Sequence, residues 1–439
     1  MAGALKFAAR AARQLARWVR TPFALAFLVV AALLNRRNTR RRRMARQRPR
    51  LVYGPVPIIS IKYMSGSMRA LGYETLTLVD ERYHIHGPAD FDADTATYLA
   101  DSTAWRVLRR TLGDYAVLAR LLRRYDIFHY FFDGGYLRRT PLRWLEVPLL
   151  HLAGKVVVAM PYGSDVAVPS RIRSFEWRNG LMRNYPSLAR DEAGRVRAIE
   201  HLAQRADYVV AGLVHLETLP RWDLLTILYY PIDTDAWRSE RPDSGHDGRT
   251  GPVRIVHAPN HRAMKGTEFL VRACEELARE GIAVELRLLE GLPNASVREE
   301  MEGADIVAEQ FLLGYAMTAM EAMSLSKPVL SNLSVPGYYE VFRQQTRFAD
   351  CPIVSVTSET LTDELRRLVV DPDLRRQIGR AGREYVLREH SYEAMGRLWT
   401  AVYARIWASE STDPADLLAP TDTATRAAMQ DPSDMAAPL

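Results

Sequence analysis

Arg262 and Lys265 stand three residues apart in the segment His257-Ala-Pro-Asn-His-Arg-Ala-Met-Lys-Gly-Thr267. The segment follows a short apolar run and opens an amphipathic stretch, so it reads as a loop from a strand into a helix. Such a loop aims free backbone N–H groups and the positive end of the helix dipole at whatever lies above the sheet. A guanidinium and an ammonium in it can converge on one anion, and Gly266 lets the backbone approach closely. A diphosphate is the natural guest, because two cations stabilise a departing phosphate. The bland alternative is a solvated basic loop that caps a helix.

A second segment has the same form: Glu309-Gln-Phe-Leu-Leu-Gly-Tyr-Ala-Met-Thr-Ala-Met-Glu-Ala-Met323, ahead of Ser326-Lys-Pro-Val329. Gly314 is expected to supply the turn, with the N–H groups of Tyr315 to Thr318 as free donors. Glu321 falls in the first turns of the following helix, where its carboxylate can accept two vicinal hydroxyls such as those of a ribose. A lone Glu on an amphipathic helix is usually solvated; only the strand–loop–helix setting argues otherwise. Glu290, directly after the intervening strand, joins this nucleotide-binding set.

The elements that must position these residues alternate regularly. Strands are expected at 74–79, 126–131, 155–159 and 207–211, with helices such as 105–125 and 190–205 between them. A polar, turn-rich stretch, 239–252, has nothing to bury and reads as a linker. Beyond it, strands are expected at 253–257, 283–289, 305–308, 327–331 and 353–356. Helices are expected at 267–279, 316–324 and from 360 to about 406. Alternation of this kind predicts an α/β chain with two doubly wound, Rossmann-like domains and a cleft at the carboxyl ends of their strands. The domains expected are 51–238 and 253–391, followed by a closing helix, 392–407.

On these motifs the chain resembles the GT-B retaining glycosyltransferases of the group 1, GT4-like branch, over 51–407 and most strongly over 253–335. The resemblance implies that Arg262 and Lys265 hold the donor diphosphate and that Glu321 binds the nucleotide ribose. The family's second segment carries another Glu eight residues earlier, in contact with the donor sugar; here that position is Leu313. Glu309, on the same loop, is the candidate replacement, and Ser326 stands where the family usually has Gly. Tyr162-Gly-Ser-Asp165 is similar to the family's HGSD segment, with Tyr162 in place of His, which adds Asp165 to the catalytic candidates Arg262, Lys265 and Glu309. His129 and Asp133 are candidates for contacting acceptor or sugar, or for capping turns. The implied reaction moves a sugar from a nucleotide-diphosphate donor to a lipid-linked or cell-surface glycan acceptor, with retention of configuration. No cofactor or metal is expected, since cations can stabilise the leaving group and no DxD-like motif ends a strand. Two other readings fit the motifs: a degenerate GT-B scaffold that binds nucleotide without turnover, and a GT-B sugar-nucleotide epimerase.

The net charge of +7 suggests a polyanion-binding protein, but its distribution does not. Residues 1–50 hold 14 Lys and Arg and no acid, whereas the body is close to neutral and the tail 408–439 is acidic. Nucleic acid is therefore not an expected partner; an anionic membrane surface is. Lys6, Arg10, Arg13, Arg17 and Arg20 share one helical face. Thr21-Pro22 reads as the start of a second helix, 22–34, whose thirteen uncharged residues reach only about 20 Å. Nine arginines then follow up to Arg50. This pattern suits an interfacial or re-entrant anchor on the cytoplasmic face of the membrane; a single span and a soluble basic arm are the alternatives. The tail after Trp407 reads as disordered. Two cysteines, Cys274 and Cys351, exclude a disulfide framework.

Overall fold

The computed structural model describes residues 2–99, 103–212, 215–335 and 337–418, with side chains at all of these except 2–20, 103–111, 344 and 345. The charged face expected over Lys6–Arg20 and residues 419–439 of the tail expected to be disordered therefore lie outside the described side chains or residues; the start of that tail is ordered, with a turn at Pro414–Leu417 whose Leu417 carbonyl accepts from Arg347 at 3.1 Å.

Among the described residues, twelve strands form two all-parallel sheets. The first contains β1 (Leu51–Tyr53), β2 (Thr75–Val79), β3 (Ala93–Asp94), β4 (Ile127–Tyr130), β5 (Val156–Ala159), β6 (Tyr208–Ala211) and β7 (Leu224–Leu225). Their order is β3-β2-β1-β4-β5-β6-β7. The second contains β8 (Val253–His257), β9 (Val284–Leu288), β10 (Ile306–Ala308), β11 (Val329–Ser331) and β12 (Val354–Ser355), in the order β12-β11-β10-β8-β9. Strands β4, β5, β6 and β10 are buried along their whole length, as parallel strands covered on both faces must be. The expected α/β architecture is thus observed. In the second sheet the strand order reverses between β8 and β10, which pair in register at His257 and Ala308. A reversal of this kind opens a crevice at the strand ends.

Both segments singled out by their chemistry leave from that point, one after β8 and one after β10. Helices Thr267–Arg279 and Met317–Ser324 follow them. The chain crosses to the second domain beside Ile232 and returns beside Ser391; these two residues form a parallel bridge. The closing helix Tyr392–Ala408 then packs on the first domain, where Tyr403 bonds His129 at 2.9 Å and Trp399 donates to the Tyr229 carbonyl at 2.7 Å.

Three local expectations change. Strand β1 is absent from the sequence reading because three residues beside a basic block carry no periodicity. The stretch 239–252 has no helix or strand, but it does bury groups. Arg375, fully buried, is held by Asp243 at 2.7 Å, and Gly248 packs beside Ile282 and Val369. Finally, Thr21 and Pro22 do not start a helix; they lie inside a single helix, Ala2–Met44. Pro22 is on its exposed side, where water can satisfy the carbonyl deprived of its partner. Beyond it, Ala24, Leu28 and Ala32 join the first domain's core, so packing there overrides the local breaker.

Candidate active site

The segment after β8 is not an open loop. Arg262–Lys265 form one helical turn, and Gly266, at φ 72°, takes the left-handed conformation needed to start the next helix. Strand β8 ends on His257, whose ring bridges Thr267 Oγ1 at 2.9 Å and the Ala308 carbonyl at 2.8 Å. Burial lowers the His257 pKa to about 4, so it is a neutral strut that fixes the turn against β10.

The two cations diverge to different carboxylates. Arg262 donates to Glu268 at 2.9 Å and to Glu290 at 3.3 Å, and remains partly exposed. Lys265 keeps 13% of its side chain exposed and lies 3.8 Å from Glu309 Oε1. Burial lowers the Lys265 pKa, with Glu309 and then Glu321 opposing that shift. Glu309 Oε2 accepts the Ala316 N–H at 3.0 Å and the Ser331 hydroxyl at 3.5 Å, whereas Oε1 is buried with no hydrogen-bond partner. One of the N–H donors expected to be free, that of Ala316, is therefore already taken. Glu321 is buried too and accepts from Asn294 at 3.1 Å; burial pushes its pKa up to about 8.

Gly314 is needed for close approach rather than for a left-handed turn: a Cβ there would lie 1.9 Å from Ser331 Oγ. Tyr315 faces away from the crevice. Its side chain is buried against Phe348 and its hydroxyl bonds His390, so only its backbone can serve a ligand. Leu313 is buried in an apolar cluster that also contains Trp177 and Leu181 of the first domain. Ser326 has φ 59°, a left-handed conformation that explains why Gly suits that position.

Asp165 lies apart from this cluster, at the end of β5 in the first domain. Its carboxylate accepts N–H groups from Phe132 at 3.1 Å, Tyr162 at 3.0 Å and Gly163 at 2.8 Å. It is buried, and burial with Asp133 nearby raises its pKa to about 7. It therefore pins two loops together. The group it leaves facing solvent is Asp133, which accepts from the Tyr162 hydroxyl at 2.7 Å.

Two features went unread in the sequence. Helix Phe175–Asn184 of the first domain packs on the Arg262–Lys265 turn, where Asn184 accepts the Met264 N–H at 3.0 Å and Tyr185 bonds His261. A Cβ at Gly180 would lie 2.8 Å from the Ala263 carbonyl, so a glycine between Trp177 and Leu181 on one helical face was the available signal. The second is a cavity of about 410 Å³ between the domains, lined by Arg173, Leu216 and Glu217 on one side and Val335, Gly337 and Tyr338 on the other. Among the described residues no group of His, Cys, Asp or Glu side chains is placed to hold a metal ion.

Residues 273–400 match a family model described as glycosyl transferase-like. The fold is GT-B. Anabaena HepE in complex with UDP-glucose has a similar structure, with a TM-score of 0.52 over 81% of this chain and 98% of that chain at 11% identity. HepE with UDP and glucose gives the same TM-score and identity over 81% and 99%. The pneumococcal O-GlcNAc transferase GtfA, with UDP and GlcNAc, gives 0.48 over 82% and 99% at 10% identity. No relative among curated proteins matches by sequence. At such identities the likeness concerns the GT-B fold, and the chemistry rests on the residues in the crevice.

Proposed function

We propose that the protein is a glycosyltransferase that moves a sugar from a nucleotide-diphosphate sugar to a lipid-linked or cell-surface glycan acceptor, with retention of configuration and without a metal. The observation that carries this reading is the group at the switch point between β8 and β10, where the buried carboxylates of Glu309 and Glu321 face the half-buried Lys265. Lys265, with Arg262, faces the diphosphate, and Glu321 accepts the ribose hydroxyls. The unpartnered oxygen of Glu309 accepts a hydroxyl of the donor sugar, the role that Leu313 cannot fill. Glu290 and Glu268 hold Arg262 until a phosphate displaces them. An incoming anion favours the charged form of Lys265, which burial alone disfavours.

In the transfer, the bond from the anomeric carbon to the phosphate oxygen breaks as the acceptor oxygen bonds that carbon from the same face. The acceptor proton leaves on the diphosphate. Asp165 positions the loops 131–133 and 161–163, which leave Asp133 facing the acceptor side. Residues 1–50 hold the protein on an anionic membrane at the cytoplasmic face. In HepE the bound ligands are UDP-glucose, or UDP with glucose, which favours a nucleotide sugar here.

The test is donor consumption with and without acceptor lipid. A transferase releases nucleoside diphosphate only when acceptor is present. Nucleotide binding without release in either case would leave a scaffold, and an epimerised donor formed without acceptor would replace transfer by epimerisation.

A further inference from the structure

Between residues 22 and 44 the amino-terminal helix has two opposite faces, and the fold uses one. Ala24, Leu28, Ala32 and Thr39 are buried against the first domain. Arg42 is tied to Asp126 at 3.2 Å, and Arg43 donates to the carbonyls of Trp407 and Ile406. At 100° per residue, the line through Phe23, Phe27, Val30 and Leu34 lies roughly 140° round the helix from that buried line. These four side chains are 75%, 52%, 55% and 76% exposed. The same outward line continues into Arg37 and Arg41, both exposed, while Arg36 and Arg40 are exposed on the flank between it and the buried line. No Asp or Glu occurs in the first fifty residues to balance them.

A row of large apolar side chains in water, ending in uncompensated cations, marks an interaction surface. We propose that this outer face lies flat on an anionic lipid surface. Phe23, Phe27, Val30 and Leu34 enter the boundary between headgroups and acyl chains, and the arginines meet lipid phosphates. Charge complementarity selects the occupant: a second copy of the chain would bring the same unbalanced arginines to the contact. Length selects the posture. The stripe from Phe23 to Leu34 rises only about 17 Å, and among the described residues no helix is long and apolar enough to cross a membrane. Because the opposite face is part of the domain core, contact with lipid seats the whole first domain against the membrane rather than tethering it on a free arm. The inference rests on the membrane partnership proposed above, and not on the transfer activity.

The experiment is sedimentation of the full chain with vesicles of phosphatidylcholine, with and without an equal part of phosphatidylglycerol. The natural chain is expected to bind the anionic vesicles at least tenfold more tightly than the neutral ones. The fourfold variant Phe23→Ser, Phe27→Ser, Val30→Ser, Leu34→Ser is expected to lose at least tenfold in binding with its Tm unchanged, since the domain core uses none of the four. Replacing Arg36, Arg37, Arg40 and Arg41 by Gln is expected to reduce the preference for anionic lipid at least threefold, and an unchanged preference would overturn their part in the contact. If the natural chain binds and the serine variant binds equally well, the face is wrong while the membrane partnership stands. If the natural chain ignores both vesicles, both fail. A soluble dimer that the serine variant turns into a monomer assigns the face to a second copy and overturns the proposal.

Discussion

Each domain buries a carboxylate at the end of a parallel strand, and the two do opposite work. Asp165, after β5, has its oxygens filled by three backbone N–H groups. Glu309, after β10, fills one oxygen with Ala316 and Ser331 and leaves the other unpartnered beside Lys265. A buried polar atom without a hydrogen bond costs about 1–3 kcal/mol, a cost avoided at the first site and offset at the second only by the ion pair with Lys265 at 3.8 Å. The residue available to a substrate is the one whose hydrogen-bonding capacity the fold leaves open. On the proposed function, Glu309 is therefore expected to contact the substrate and Asp165 to position loops.

The comparison breaks most readily on stability. Asp165→Ala leaves three amides without an acceptor, and a loss of ~3 kcal/mol in unfolding free energy is expected by denaturant titration. Glu309→Gln keeps an acceptor for the Ala316 N–H and loses only the charge facing Lys265, so it is expected to destabilise less than Asp165→Ala, by about 1 kcal/mol, while lowering the transfer rate at unchanged nucleotide affinity. Equal destabilisation by both substitutions would erase the distinction.

Next in size is Lys265→Ala, expected to weaken nucleoside diphosphate binding by about 1.5–3 kcal/mol in calorimetry, the scale of a lost charge-assisted bond. Unchanged affinity would remove Lys265 from the phosphate site.

The pH dependence follows from Glu321, whose folded pKa is raised to about 8 from an ordinary 4.5. A carboxyl raised in this way binds more protons folded than unfolded. Its contribution is therefore fully present below about pH 4.5 and fades as the pH rises through about 8. Glu321→Gln is expected to flatten the decline of Tm over that range; a slope identical to that of the natural chain would contradict the shift.

The smallest effect is expected at Ser326, whose φ of 59° suits glycine. Ser326→Gly relieves left-handed strain of about 1 kcal/mol and gives back part of it in unfolded-chain entropy, so a rise in Tm of a degree or two is expected. A fall would show that the serine side chain does more than tolerate its backbone.

Much of this site was legible before folding. The strand 253–257 and the helix 267–279 fall where periodicity places them, because a parallel strand and an amphipathic helix are both written in local apolar spacing. The convergence of Lys265 with Glu309 was not legible: it depends on β8 and β10 being neighbours, although β9 lies between them in sequence. The divergence of Arg262 toward Glu290 was hidden for the same reason, as was the approach of helix Phe175–Asn184 from the other domain.

The amino-terminal helix shows the same division. Sequence alone determined that residues 22–34 are apolar and that unbalanced arginines follow. Which side of that run faces the domain was settled by the packing of Ala24, Leu28 and Ala32. Sequence likewise determined two α/β domains, a basic segment after one strand and a helix that carries Glu321. Only tertiary structure decided which carboxylate oxygen is left without a partner, because a hydrogen bond such as that from Ser331 to Glu309 joins residues that local spacing cannot relate.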